Sequence, residues 1–187
     1  MKIPDSDPYP WPYDDDASFE RLALLVCGAH TPWWTPGAAD DNIEALVAAL
    51  ALTSTTLIAT RHAPGPWPRR PNPVEPGPLV RAAHLQLQCP GYDAFYASAL
   101  EIELRRRGIT HLLVCGYGGE VTVDSTIRTA NDRGFECLLV ADAVAWVNPI
   151  TGAGATSSVT MSGGIFGAVG TTSAVLSNLS CLARESI

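Results

Sequence analysis

The sequence lacks most of what would send a chain to a membrane, a nucleic acid or an oxidising compartment. No apolar run approaches the roughly 18 residues that a membrane span needs, and the first dozen residues are polar and proline-rich rather than an apolar leader. A cytoplasmic protein with no membrane partner is the resulting expectation. Basic residues are scarce: 12 Lys and Arg stand against 19 Asp and Glu, a formal net charge of −7. With no basic stripe to neutralise phosphates, no nucleic-acid partner is expected. The one cationic run, Arg105-Arg106-Arg107, falls at the end of an expected helix, where it complements the helix dipole. Cysteines number five, an odd count without a CxxC pair, which supports neither a zinc ribbon nor a disulfide framework. Cys115 and Cys137 lie inside apolar runs, where a free cysteine acts as a small hydrophobe. His30, His62 and His84 do not have the spacing of a compact zinc motif, so neither a metal nor another cofactor is expected.

What is present describes an ordinary globular chain. At 187 residues, 47% hydrophobic and 17% charged, it is long enough for one domain with a proper core. Residues 1–18 read as an extended arm, because four prolines and five aspartates oppose regular structure. Tyr9, Trp11 and Tyr13 would anchor that arm on its own domain or on a neighbouring subunit, leaving 19–187 as the domain proper. The organising stretch is 111–146, HLLVCGYGGEVTVDSTIRTANDRGFECLLVADAVAW. It predicts a strand, a glycine turn at 116–119, a helix from Glu120 and a second, continuously apolar strand at 135–140. Two parallel strands joined through a helix need a right-handed crossover, and ligands bind beyond the carboxyl ends of such strands.

The remaining elements alternate in the same way. Leu22–Cys27 is the first strand, followed by Gly28-Ala29-His30 and a loop with Trp33 and Trp34. A helix starts at Asp40 or Asp41 with Ile43, Leu46, Val47 and Leu50 on one face. Strands are predicted at 55–60 and 84–88, separated by a loop over 61–81 that carries seven prolines and cannot be helix or central strand. A helix over 97–107, a loop over 148–155, a short helix over 156–162, an edge strand over 163–169 and a final helix over 171–182 complete the chain. The fold class expected is α/β, three layers (α/β/α) around a mainly parallel sheet.

Four segments give a sharper reading: DPYPWPYD at 7–14, CPGYDAF at 89–95, TANDRGFECLLVADA at 129–143 and GGIFGAV at 163–169. In this order they resemble the isochorismatase-like, or cysteine hydrolase, superfamily, in the style of its biuret and ureidoacrylate hydrolases. The resemblance covers nearly the whole chain and implies a parallel sheet flanked by helices, assembled as a dimer or tetramer. It also implies a site of three residues: an aspartate ending the first strand, a lysine opening a K-x-x-Y-S/D-A-F segment, and a cysteine after G-V-A-T-x-V. Lysine and aspartate beside a cysteine at a helix N-terminus favour the thiolate, which attacks an amide carbon while backbone N–H groups hold the oxyanion.

This chain departs at all three positions. The family's aspartate, lysine and cysteine fall on Gly28, Cys89 and Thr122. Cysteine-based hydrolysis is therefore not expected, and the relatives that dispense with cysteine still use the aspartate. His30 is the candidate for acid/base work, two residues beyond Gly28, against a plain packing role. Thr122 is a candidate hydroxyl, against a helix-start threonine bonding its own turn. Cys89 is a candidate thiol, against a small core filler. Trp33, Trp34, Arg61, Tyr92, Tyr117, Gly118 and Gly119 are the candidate substrate contacts, and the resemblance implies a cis peptide at Tyr117–Gly118. Two readings follow. In the first, the pocket runs other chemistry, hydrolysis, elimination or cyclisation, on a small molecule. In the second, the chain is a non-catalytic subunit that pairs with itself or with an active paralogue.

Overall fold

The apolar runs that the sequence places either side of its helices become the strands of one sheet. The computed structural model describes residues 1–14, 17–29, 37–62 and 82–185, with side chains to residue 179. His30, Trp33, Trp34 and the proline-rich 63–81 lie outside the described residues. The strands are β1 (Leu22–Cys27), β2 (Thr56–His62), β3 (Leu85–Cys89), β4 (His111–Tyr117), β5 (Glu136–Ala145) and β6 (Ala168–Gly170). All neighbours run parallel, in the order β3-β2-β1-β4-β5-β6. β1 and β4 sit at the centre and are buried at every residue, which is why they read as unbroken apolar runs rather than alternating ones.

Helices cover both faces. α1 (Ala38–Leu50) presents Ile43, Leu46, Val47 and Leu50 to one face, which it shares with α5 (Thr172–Glu185) and Leu24, Leu113 and Leu138 of the sheet. α2 (Leu100–Arg106), α3 (Asp124–Asp132) and α4 (Pro149–Gly164) cover the other, over Leu25, Leu112 and Leu139. The three-layer α/β fold expected from the sequence is the fold observed.

Several boundaries differ from the sequence reading. Helix α4 replaces the loop expected over 148–155: the Asn148 side chain caps it by accepting the Ile150 N–H at 2.9 Å, and Pro149 opens its first turn. Met161 (ψ 145°) and Ser162 (φ 55°) then break the helix, which shortens the expected edge strand to β6. α2 begins at Leu100 rather than 97, since Ala97 takes a positive φ of 47°. The Tyr117–Gly118 peptide is trans; the cis bonds among the described residues are Asp7–Pro8 and Trp11–Pro12.

The N-terminal segment is part of the core. Ile3 and Trp11 pair backbones (Ile3 N to Trp11 O 2.6 Å, Trp11 N to Ile3 O 3.1 Å), and both side chains are fully buried beneath the α1 face. The N-terminal amine donates to the Ala17 carbonyl at 2.6 Å. Asp7 and Val169 exchange two backbone hydrogen bonds, an isolated antiparallel bridge that ties the arm to β6.

Candidate functional site

In an open parallel sheet the strand order reverses direction between β1 and β4, and the crevice beyond their carboxyl ends is the natural ligand position. Cys27 and Gly116 are register partners there. The two strands approach so closely that a Cβ on Gly116 would lie 2.1 Å from the Cys27 carbonyl oxygen, at a φ of +129°. Only glycine fits that place. Gly28 follows β1, and the turn after β4 brings Thr122 to the same edge, while Cys89 ends β3 beside its register partner His62. All three positions thus lie at the carboxyl edge of the sheet.

The turn after β4 is tightly self-bonded. Gly118 is left-handed (φ 65°, ψ 50°) and its carbonyl accepts the N–H groups of Val121 (2.9 Å) and Thr122 (2.8 Å). The Thr122 hydroxyl is fully buried and donates to the carbonyls of Tyr117 and Gly118. A wide π-type turn over Gly119–Val123 then leads into α3. A Cβ on Gly119 would strike the Trp146 ring at 2.4 Å, so its missing side chain accommodates tryptophan. Tyr117 points to the α1 face, where its hydroxyl donates to Asp40. Glu120 reaches across to accept the N–H groups of Val147 (2.9 Å) and Asn148 (2.7 Å) and the Thr151 hydroxyl (2.8 Å). Burial disfavours its charge, but the Asn148 and Val147 amides outweigh that and hold the carboxyl below its usual range.

The thiols near this edge are protonated. Burial pushes Cys89 up to about 11, with Ser98 opposing and Asp93 adding to the shift, and its sulfur donates to the Ala94 carbonyl at 3.5 Å. Burial likewise raises Cys27 to about 12, against the hydroxyls of Thr126 and Thr60. A buried thiol without a cation beside it is a poor nucleophile. Asp93 is committed to the loop after β3, accepting the Phe95 N–H (2.9 Å) and the Thr129 hydroxyl (3.0 Å). Tyr92, in the same loop, is exposed.

Two features at the end of β2 carry more information than their sequence position did. The sequence places Arg61 and His62 in a loop; they are the last residues of the strand. The His62 Nδ1 lies 2.8 Å from the Gly91 carbonyl, which can only accept, so that nitrogen bears the proton. Its Nε2 therefore accepts from the Thr60 hydroxyl at 2.9 Å, and Thr60 Oγ1 in turn accepts the Gly28 N–H at 3.3 Å. Burial lowers the His62 pKa and keeps the ring neutral, against smaller opposing contributions from Gly91 and Asp93. The second feature is the Nε of Arg61, which is buried without a hydrogen-bond partner among the described residues. Buried polar atoms are almost always paired, so this nitrogen is a candidate donor to an acceptor from outside the described residues. Strand parity at β2's end, the signal that would have shown both, depends on where the strand stops.

Among the described residues, the group of side chains able to hold a metal ion lies at the opposite edge: Asp14, His111 and Glu136. No described helix is long and apolar enough to cross a membrane.

The chain resembles known proteins in sequence and in fold. The family model of the isochorismatase domain matches residues 35–174. An uncharacterized isochorismatase family protein, YecD of Escherichia coli O157:H7, is 42% identical over 52 residues, 28% of each chain. The ureidoacrylate amidohydrolase RutB of Methylobacterium radiotolerans is 35% identical over 75 residues, 40% of this chain and 27% of that one. The matched stretches thus span little more than a quarter of these curated relatives. Among solved structures, a cysteine hydrolase from Pseudomonas syringae pv. phaseolicola 1448A superposes with a TM-score of 0.76 at 18% identity, covering 88% of this chain and 95% of that one. The nicotinamidase PncA of Bacillus subtilis gives 0.69 at 23% identity, covering 80% and 98%. At such identities the likeness is one of fold. A family match over some three quarters of the length, joined to this strand order, means that the chain belongs to the isochorismatase family.

Proposed function

We propose that this family member binds a small polar molecule at the carboxyl edge of β1, β2 and β4 and acts on it without a cysteine nucleophile. The observation that carries the reading is the Nε of Arg61 at the end of β2, buried with no hydrogen-bond partner among the described residues, which a carbonyl, ureido or carboxylate oxygen would satisfy. The absence of thiol chemistry is supported by the chain's own residues. The hydroxyl of Thr122 is spent on backbone carbonyls, Gly28 offers no carboxylate, and burial keeps the Cys89 thiol protonated. Proton transfer falls to neutral imidazole, the candidate being His30, close in sequence to Gly28, while both ring nitrogens of His62 are held by Gly91 and Thr60. Trp33, Trp34 and Tyr92 would supply apolar contact, and hydrolysis by water, elimination or cyclisation are the reactions such a site suits.

The test is a binding and turnover panel of small ureido compounds, amides and carboxylates on the full chain. Binding that Arg61→Met weakens at least tenfold, and turnover that iodoacetamide leaves unchanged, is the expected result. Turnover abolished by iodoacetamide would overturn it, as would a ligand bound equally well by Arg61→Met.

A second reading, a non-catalytic subunit, rests on exposed apolar side chains: Tyr13 on the arm and Ile150, Met161 and Ile165 along and after α4. Such a surface suits a homodimer or tetramer, or a mixed assembly with an active paralogue. Mass determination of the complex recovered from the native host separates these forms.

A further inference from the structure

At the amino edge of the sheet, away from the crevice, His111 opens β4 and Glu136 opens β5, and the two are register partners. Both side chains fall on the face that receives the N-terminal arm, which delivers Asp14. We propose that Asp14, His111 and Glu136 form a divalent transition-metal site that staples the arm to the sheet. The distances suit it: His111 Nε2 lies 3.1 Å from Asp14 Oδ1 and 3.6 Å from Glu136 Oε2, with all three donor atoms within 4.8 Å of one another. Metal–ligand bonds of about 2.0–2.2 Å set neighbouring donors roughly 3.0–3.5 Å apart in octahedral or tetrahedral geometry.

The atoms behind the donors are also fixed. His111 Nδ1 lies 2.7 Å from the Thr110 hydroxyl, which holds the ring in place while Nε2 faces the carboxylates. The second oxygen of Glu136 accepts the Tyr13 N–H, so the arm itself orients that ligand. Trp11 packs edge-on against the imidazole with centroids 5.7 Å apart. Outer partners of this kind orient ligands in metal sites. His111 is 1% exposed and the Asp14 side chain 52%, which gives a buried anchor on rigid strands and an open side for entry and for water. One imidazole nitrogen with two carboxylate oxygens suits Zn²⁺, Co²⁺ or Mn²⁺, whereas Ca²⁺ takes six to eight oxygen ligands.

The test uses tag-free, full-length protein stripped with EDTA and titrated with ZnCl₂ or MnCl₂ alone by calorimetry at fixed pH. The expected result is about one ion per chain, a higher Tm with metal, and slower amide exchange in residues 1–14. His111→Asn and Glu136→Gln should each weaken binding tenfold or more. Asp14→Asn, on a side chain about half exposed, should do the same and keeps the test decisive if the buried variants fail to fold. Absence of binding by the wild-type chain overturns the proposal and leaves a proton between the imidazole and the carboxylates. Binding that Asp14→Asn leaves intact overturns it too, by placing the ion elsewhere.

Discussion

Replacing Trp11 by alanine tests whether the N-terminal arm is structural core. The side chain is fully buried in the core cluster that also holds Ile3, Leu22, Leu24 and Leu113, and it meets the His111 ring edge-on. Truncating a buried tryptophan costs about 3–5 kcal/mol through lost transfer energy and the cavity left behind. One offset applies. The indole Nε1 is buried without a hydrogen-bond partner among the described residues, and removing that donor returns about 1 kcal/mol, the low end of what an unsatisfied group costs. The net expectation is a loss of about 3 kcal/mol, which for a chain of this size lowers Tm by roughly 6–12 °C. Trp11→Phe keeps the aromatic packing and removes the same orphan donor, so its change should stay within about 1 kcal/mol. The assay is urea denaturation with calorimetry in EDTA, which keeps metal out of the comparison. A loss below about 1 kcal/mol for Trp11→Ala would refute the reasoning and return the arm to the surface.

Gly116→Ala should cost about 3 kcal/mol or more, because the new Cβ meets β1 backbone that cannot move aside; a denaturation midpoint near wild type would contradict the β1–β4 contact. Thr126→Val removes the acceptor of the buried Ala94 N–H at 3.0 Å and should cost about 1–3 kcal/mol by urea titration. The lowered pKa of His62 means that the unfolded chain takes up a proton the native one refuses. Its contribution is therefore complete above the ordinary value of 6.5 and is lost as pH falls below it toward the folded value. His62→Asn should flatten stability against pH between about 7 and 5, and parallel curves for the two proteins would exclude this. In a Cys181→Ser background, Cys27, Cys89, Cys115 and Cys137 should resist a thiol reagent at about pH 8 until unfolding releases all four, because burial raises every one of them.

How much of this was legible depended on whether the signal was local. β1 could be read to the residue, since its apolar run stops at Gly28 and central parallel strands need no alternation. Helix α4 was hidden by its composition: ITGAGATSS has weak helix propensity, and the cap at Asn148 with Pro149 behind it outweighs that in the fold. That Gly28, Cys89 and Thr122 lie at or beyond the carboxyl ends of β1, β3 and β4 came from the strand pattern, but the commitments of their neighbours did not. That Gly119 makes room for Trp146, and that Tyr117 turns away toward Asp40, are matters of packing between segments far apart in the chain. The Asp14–His111–Glu136 group was invisible for the same reason, because 97 residues separate Asp14 from the histidine it meets.

The pairing of Asp7 with Val169 has a consequence for handling the protein. β6 is a border strand, and an uncovered border is a template onto which another chain can add. By bridging it at Val169, the first residues occupy part of that border and act as a guard against self-templated growth. A version trimmed of them would lose Ile3 and Trp11 from its interior and be prone to stick to its own copies as well.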